Sequence, residues 1–267
     1  MWIDTHCHLD AHEFGASSLD VARAAGEQGV SMIVIPAVER GNFEAVAQLA
    51  HAAPNASYAL GIHPIYVPQA RDEDLIALRA AVEAAIDDPR FVAIGEIGLD
   101  FFIPLLCEPA LREKQERFFR EQLRIARDFD LPVLTHVRRS QDQVLKHLRQ
   151  IQPPGGIAHA FNGSEQQANT FIKLGMHLGF GGAMTFTRAL QIRRLAANLP
   201  LERIVLETDA PDIAPSWIHP ARNSPEQLPA IGAALAGLRA VDPSEVRAAA
   251  WRSSLAAIPR LAALLAE

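Results

Sequence analysis

Met1-Trp2-Ile3-Asp4-Thr5-His6-Cys7-His8-Leu9-Asp10 opens the chain with a short apolar run and then two imidazoles at alternate positions. In an extended segment residues i and i+2 point the same way, so His6 and His8 can grip one cation. A His-x-His pair alone is a weak signal, because a surface strand can carry two histidines without binding anything. It gains weight here because further donors recur at the ends of later apolar runs: Glu96, His136, His159 and Asp209. The same stretch bears on the fold, since an open doubly wound sheet usually carries a Gly-rich phosphate loop after its first strand.

Working outward, short β-rich runs alternate with longer amphipathic ones along the whole chain, the pattern of repeated βα units around a parallel sheet. Eight strands are expected: 2–5, 31–36, 57–61, 91–95, 132–136, 156–159, 177–180 and 203–207. The helices between them read as 18–28, 42–52, 73–86, 109–129, 141–150, 165–174 and 188–198, followed by 224–237, 243–252 and 254–265. Eight parallel strands with helical crossovers predict an α/β fold of the TIM-like (β/α)8 type, in one domain spanning 1–267.

Composition narrows the function classes. The chain has 267 residues, 49% hydrophobic and 21% charged, which suits one large core. A net charge of −6 argues against a broad basic face coating long nucleic acid. Binding of a phosphate ester would then rest on local positive charge such as bound metals. Two cysteines, Cys7 and Cys107, indicate no disulfide framework, and the first residues lack the pattern of a signal peptide. A cytoplasmic protein that spans no membrane and has no obligatory protein partner is expected.

Parallel barrel strands end at one face, so residues just past each apolar run converge. His6, His8, Glu96, His136, His159 and Asp209 then offer six ligands, more than one tetrahedral zinc needs and suited to two divalent ions, with Glu96 as the bridge. Asp209 is the candidate general base. His63, in Gly61-Ile62-His63-Pro64, ends strand three at the same face and either donates to a substrate oxygen or makes a rim hydrogen bond. Arg138 shares the direction of His136 and either clamps a phosphate or is solvated. The turn Phe161-Asn162-Gly163-Ser164 makes Asn162 and Ser164 candidate anion contacts, with an ordinary N-cap as the alternative for Ser164. His12, His51, His147, His177 and His219 read as solvated or structural. Segment 113–127 reads as an amphipathic outer helix with a solvated face. Cys7 reads as a buried small hydrophobe.

Taken together, the motifs Asp4-Thr5-His6-Cys7-His8-Leu9, Gly61-Ile62-His63-Pro64, Ile94-Gly95-Glu96-Ile97-Gly98-Leu99-Asp100, Pro132-Val133-Leu134-Thr135-His136, His159-Ala160-Phe161-Asn162-Gly163-Ser164 and Glu207-Thr208-Asp209-Ala210-Pro211 resemble those of the TatD-type metal-dependent deoxyribonucleases of the amidohydrolase superfamily. The likeness covers essentially the whole chain. It implies a TIM-like barrel with a binuclear Mg2+, Mn2+ or Zn2+ site, the six ligands above, and hydrolysis of DNA, often single-stranded or from the 3′ end. Two places depart from the family pattern: Phe101 to Cys107 is more apolar, and Ser253-Ser254 stands where an Asn commonly opens the last helix.

The chemistry this predicts is phosphodiester hydrolysis by a metal-activated water. Two other readings compete. A small-molecule amidohydrolase would cleave an ester, lactone or amide on the same barrel, although its wider superfamily often bridges two metals with a modified lysine where this chain has Glu96. A metal-loaded binding scaffold without catalysis is the other, set against the cost of keeping six convergent ligands.

Overall fold

The computed structural model describes residues 1–266. Within them, largely apolar, buried runs form eight strands: β1 (Trp2–Asp4), β2 (Val30–Pro36), β3 (Ala56–Leu60), β4 (Phe91–Asp100), β5 (Val133–Arg138), β6 (Gly156–Ala158), β7 (Met176–Phe180) and β8 (Ile204–Leu206). They lie side by side in chain order, every neighbouring pair parallel. The last strand returns to the first. Thr5 N–H donates to the Leu206 carbonyl at 3.2 Å and Asp209 N–H to that of His6 at 2.9 Å. The Asp4 carboxylate accepts from the Thr208 backbone N–H and hydroxyl across the same seam. The expected (β/α)8 barrel is therefore the observed architecture.

Among the described residues, ten α-helices accompany the strands: α1 (Ser18–Glu27), α2 (Phe43–Ala52), α3 (Asp72–Ala85), α4 (Pro109–Asp128), α5 (Gln141–Ile151), α6 (Glu165–Lys173), α7 (Leu190–Asn198), α8 (Leu228–Arg239), α9 (Pro243–Ala257) and α10 (Leu261–Leu264). Among the described residues, no helix is long and apolar enough to cross a membrane. The core has two layers. Side chains such as Val30, Ile33, Phe91, Ile94, Leu123 and Phe171 pack between strands and helices. A second cluster joins Ile3, Met32, Val34, Val92, Leu134, Ile157 and Val205 to Ala257, Ile258 and Leu261, so the end of α9 and α10 pack on the residues that fill the barrel.

Among the boundaries that differ from expectation, three have a visible cause. β4 continues past Gly95 to Asp100, and its pairing with β5 shifts register between Ile94 and Ile97. α8 starts at Leu228 because a 3-10 turn, Pro225–Gln227, takes its first residues. α9 runs to Ala257 rather than ending near Arg252, because Ser254 returns its hydroxyl to the Ala250 carbonyl at 2.8 Å inside the helix. Pro259 then separates it from α10.

The outer helix α4 does more than its amphipathic pattern predicts. Its buried Gln122 accepts from Ile62 N–H at 2.7 Å and donates to the Ile62 carbonyl at 3.1 Å. Gln115 likewise accepts from Asp100 N–H at 3.0 Å and donates to the Leu106 carbonyl at 2.8 Å. Two glutamines thus satisfy the backbone where β3 and β4 end, beside His63 and at Asp100. Gln122→Leu leaves both Ile62 groups buried and unpaired, at roughly 1–3 kcal/mol each. Urea unfolding should register a loss of about 2 kcal/mol or more; a change below about 0.5 kcal/mol would show that the clamp is redundant.

His147 and His177 are buried, as structural residues should be. His147 pairs with Glu116 at 3.0 Å. His177 sits on β7, where burial, with Arg203 adding to it, lowers its pKa from 6.5 to about 4. A folded pKa below the unfolded one means that the unfolded chain binds the extra proton between these values. Stability is then complete above about pH 6.5 and declines as pH falls toward 4, by a few kcal/mol at most. In paired denaturation curves from pH 7 to pH 4, His177→Gln should lose less stability than the parent; parallel losses would remove His177 as the cause.

Candidate active site

Six strands deliver polar side chains to the mouth of the barrel at their C-terminal ends. His6 and His8 follow β1, His63 follows β3, Glu96 and Asp100 lie on β4, His136 on β5, His159 follows β6, and Asp209 follows β8. Glu96 reaches the interior only through the irregular register of β4. Ile94 and Ile97, three residues apart, both pack in the outer core layer. Strict alternation from Ile94 would send Glu96 outward with it, and the extra residue turns it in.

The Glu96 carboxylate stands at the centre. Its Oε2 lies 3.1 Å from His6 Nε2 and 3.3 Å from His8 Nε2. Its Oε1 lies 3.0 Å from His136 Nδ1, 3.4 Å from His63 Nε2 and 3.7 Å from His159 Nε2. Asp209 closes the other side, with Oδ1 3.7 Å from both His6 and His8 Nε2 and Oδ2 3.8 Å from His159 Nε2. Three overlapping triads result, His6/His8/Asp209, His6/Glu96/His159 and His63/Glu96/His136, each with donor atoms within 4.8 Å of one another.

These donors fit a divalent cation by their chemistry. His6 Nε2 and His8 Nε2 face each other at 3.3 Å, and one proton at most can lie between them. Metal–ligand bonds of roughly 2.0–2.2 Å give tetrahedral edges of about 3.4 Å, close to the separations around Glu96. The set is also electrostatically unsettled on its own. Burial pushes the Glu96 carboxyl up, yet His63, His6 and His159 hold it well below the usual carboxylate range. His6 and His159 stack 3.8 Å apart, so only one can readily be cationic. Burial and the His159 charge lower His6 to about 3. Against the effect of burial, Asp209, Glu207 and Glu96 raise His159 to about 10.

His63 joins the cluster in a different capacity. Its Nδ1 accepts from Ile65 N–H at 3.1 Å, so the neutral ring carries its proton on Nε2. That nitrogen, 3.0 Å from His136 Nδ1, is a donor and has no lone pair for a cation.

Behind the donors stand carboxylates that sequence reading did not select. Glu207 Oε1 lies 3.1 Å from His159 Nδ1 and accepts from Ala160 N–H at 2.6 Å. Asp100 Oδ2 lies 3.1 Å from His136 Nε2, and Oδ1 accepts from the N–H groups of Phe102 and Ile103. Burial opposes those bonds, but they bring Asp100 down to about 2. Buried Asn223 donates to the carbonyls of Thr208 and Asp212 and so holds the loop that carries Asp209. Glu207 two positions before Asp209 and Asp100 four after Glu96 were the available signal, but a one-dimensional pattern does not separate a buried carboxylate from a solvated one.

The remaining expected contacts sit at the rim. Arg138 is half exposed, 3.9 Å from Asp100 Oδ2, with its guanidinium 3.9 Å from the centre of the Phe102 ring. Arg139 lies on the same ring at 4.7 Å, so the apolar departure at Phe101 to Cys107 supplies a partner for two arginines. Asn162 is exposed, and its carbonyl accepts from Gln141. The Ser164 hydroxyl accepts from Gln167 N–H at 3.1 Å in a capping box, the ordinary N-cap role. Cys7 is buried, its thiol pushed up by burial and directed at the Ala210 carbonyl.

With this geometry in view, the likeness to known proteins becomes specific. The sequence pattern of the family described as TatD related DNase matches residues 3–257. The chain belongs to the TatD-related DNase family. It is 39% identical to the uncharacterized metal-dependent hydrolase YjjV of Escherichia coli K12, over 92% of this chain and 93% of that one. It is 30% identical to the 3′-5′ ssDNA/RNA exonuclease TatD of the same organism, over 93% of each chain. The crystal structure of YjjV superposes with a TM-score of 0.90, covering 97% of this chain and 98% of the other. A TatD-family metal-dependent hydrolase thus carries its donor cluster where barrel strands converge.

Proposed function

We propose that this TatD-family chain, read as one catalytic barrel over 1–267, hydrolyses phosphodiester bonds in DNA, taking single strands or 3′ ends. Two divalent ions, Mg2+, Mn2+ or Zn2+, would be held by His6, His8, Glu96, His136, His159 and Asp209. The observation that carries this reading is the Glu96 carboxylate, whose two oxygens face different groups of imidazoles. When bound, such ions supply Lewis acidity at the phosphate and acidify water.

The protein's own groups then divide the work. Asp209 is the base: its carboxylate takes the proton of the attacking water as the water oxygen bonds phosphorus, and the bond to the leaving sugar oxygen opens, that oxygen taking its proton from solvent water. The Nε2–H of His63 donates to a phosphate oxygen, the role its Ile65 contact leaves it. Arg138 neutralises phosphate at the rim, and the Asn162 to Ser164 turn orients the strand. Glu207 and Asp100 hold His159 and His136 in place through their far nitrogens. A cytoplasmic site of action and no obligatory protein partner complete the reading.

Incubation of end-labelled single-stranded DNA, duplex DNA and RNA with metal-stripped protein plus one metal at a time tests it. Shortening of single-stranded DNA from its 3′ end is the expected product ladder. Faster turnover of simple carboxylic esters or lactones than of any nucleic acid would move the reading to a small-molecule amidohydrolase.

One further consequence concerns Gly179 on β7. A Cβ there would stand 2.2 Å from Glu207 Oε2. Gly179→Ala should therefore displace Glu207 from His159 and lower metal affinity by roughly 10–100-fold, the usual effect of losing such a partner. Competition with a chromogenic chelator reads the change directly; parent-like affinity would mean that Glu207 does not orient the ring.

A further inference from the structure

The loops after β7 and β8 enclose an open cleft of about 570 Å³ lined by Ala183, Phe186, Arg188, Ile213, Ala214 and His219. It adjoins the donor cluster. Ala183 and Ile213 also border a small cavity whose walls include Glu207 and Asp209. Its frame is built rather than incidental. Gly182 lies so close to the facing loop that a Cβ would stand 2.0 Å from the Ile213 carbonyl oxygen. Ser216 N–H donates to the Thr185 hydroxyl at 2.8 Å, and Ser216 returns its own hydroxyl to the Thr185 carbonyl. Arg193 on α7 donates to the Met184 carbonyl, fixing the same turn from outside.

Within this frame the Phe186 ring meets His219 edge to face, centroids 5.5 Å apart, and Arg188 lies 5.7 Å from its centre. Arg188 and His219 are exposed and Phe186 is partly so. A flat ring flanked by a guanidinium and an imidazole is the chemistry of a stacking platform with a phosphate contact. On a chain of net charge −6 such a place is local and does not belong to a general basic surface.

We propose that this cleft binds one unpaired nucleobase of the strand being cleaved, stacked on Phe186, with the adjoining phosphate on Arg188. The inference rests on the phosphodiester reading for its biological sense, and it names the part of the substrate that the metal donors do not touch. A stacking platform accepts any base but needs it out of a duplex, so the cleft selects single strands.

Fluorescence anisotropy with a labelled phosphorothioate octathymidylate tests this, because the modified backbone suppresses hydrolysis during the measurement. Phe186→Ala should weaken binding about tenfold, and Phe186→Trp should stay within about twofold of the parent. Arg188→Ala should reduce the slope of log affinity against log salt by about one. Unchanged affinity in Phe186→Ala overturns the proposal, as does an equal loss for a duplex of the same sequence. Turnover of methyl para-nitrophenyl phosphate, which has no nucleoside, should be the same in all these variants. If the parent protein cleaves neither that diester nor unmodified single-stranded DNA, the phosphodiester reading falls, while the anisotropy result still decides the cleft.

Discussion

Asp209→Asn is expected to reduce phosphodiester turnover by about 10²–10⁴-fold, the usual contribution of a positioned base. Asparagine is the informative replacement for a backbone reason. Asp209 has φ of 56°, in the left-handed region that asparagine also tolerates and most side chains do not. Its N–H bond to the His6 carbonyl and the Asn223 contacts that hold its loop are independent of the side-chain charge. The variant should therefore unfold at the parent temperature and retain a carbonyl oxygen facing His6 and His8. Rates near the parent value, with full metal content, would rule Asp209 out as the base. A matching collapse of metal content would instead assign its effect to ligation.

Glu96→Gln should strip the centre more thoroughly. The carboxylate lies within 3.0–3.7 Å of five imidazoles, and no other acidic group in the cluster reaches both the His6/His8 pair and His136. The amide preserves shape but offers one oxygen and no charge, so both ions should be held less tightly. Elemental analysis of the purified variant should find fewer than about one metal per chain, with turnover down by at least about 10²-fold. Full metal occupancy in Glu96→Gln would contradict a bridging role. Because Glu96 is almost wholly buried, the variant also exposes the imidazoles to one another without their anion. Circular dichroism at neutral pH separates a fold defect from a metal defect.

The sequence alone carried the barrel and the donor types. Alternating apolar runs and amphipathic segments dictate βα units through the hydrophobic burial of one face, and parallel strands necessarily end together, so His6, His8, His136 and His159 were legible as a convergent set. Tertiary structure decided matters that depend on contacts across the chain. Glu96 points inward because β4 gains a residue against β5. Gln115 and Gln122 are clamps because the backbone of β3 and β4 presents unpaired groups to α4. Glu207 and Asp100 become orienting groups because His159 and His136 turn their far nitrogens toward them. His63 becomes a donor through a single bond from Ile65. Periodicity records which way a side chain leaves its own strand, whereas register, tautomer and the partner of a buried carboxylate are set by neighbours distant in sequence.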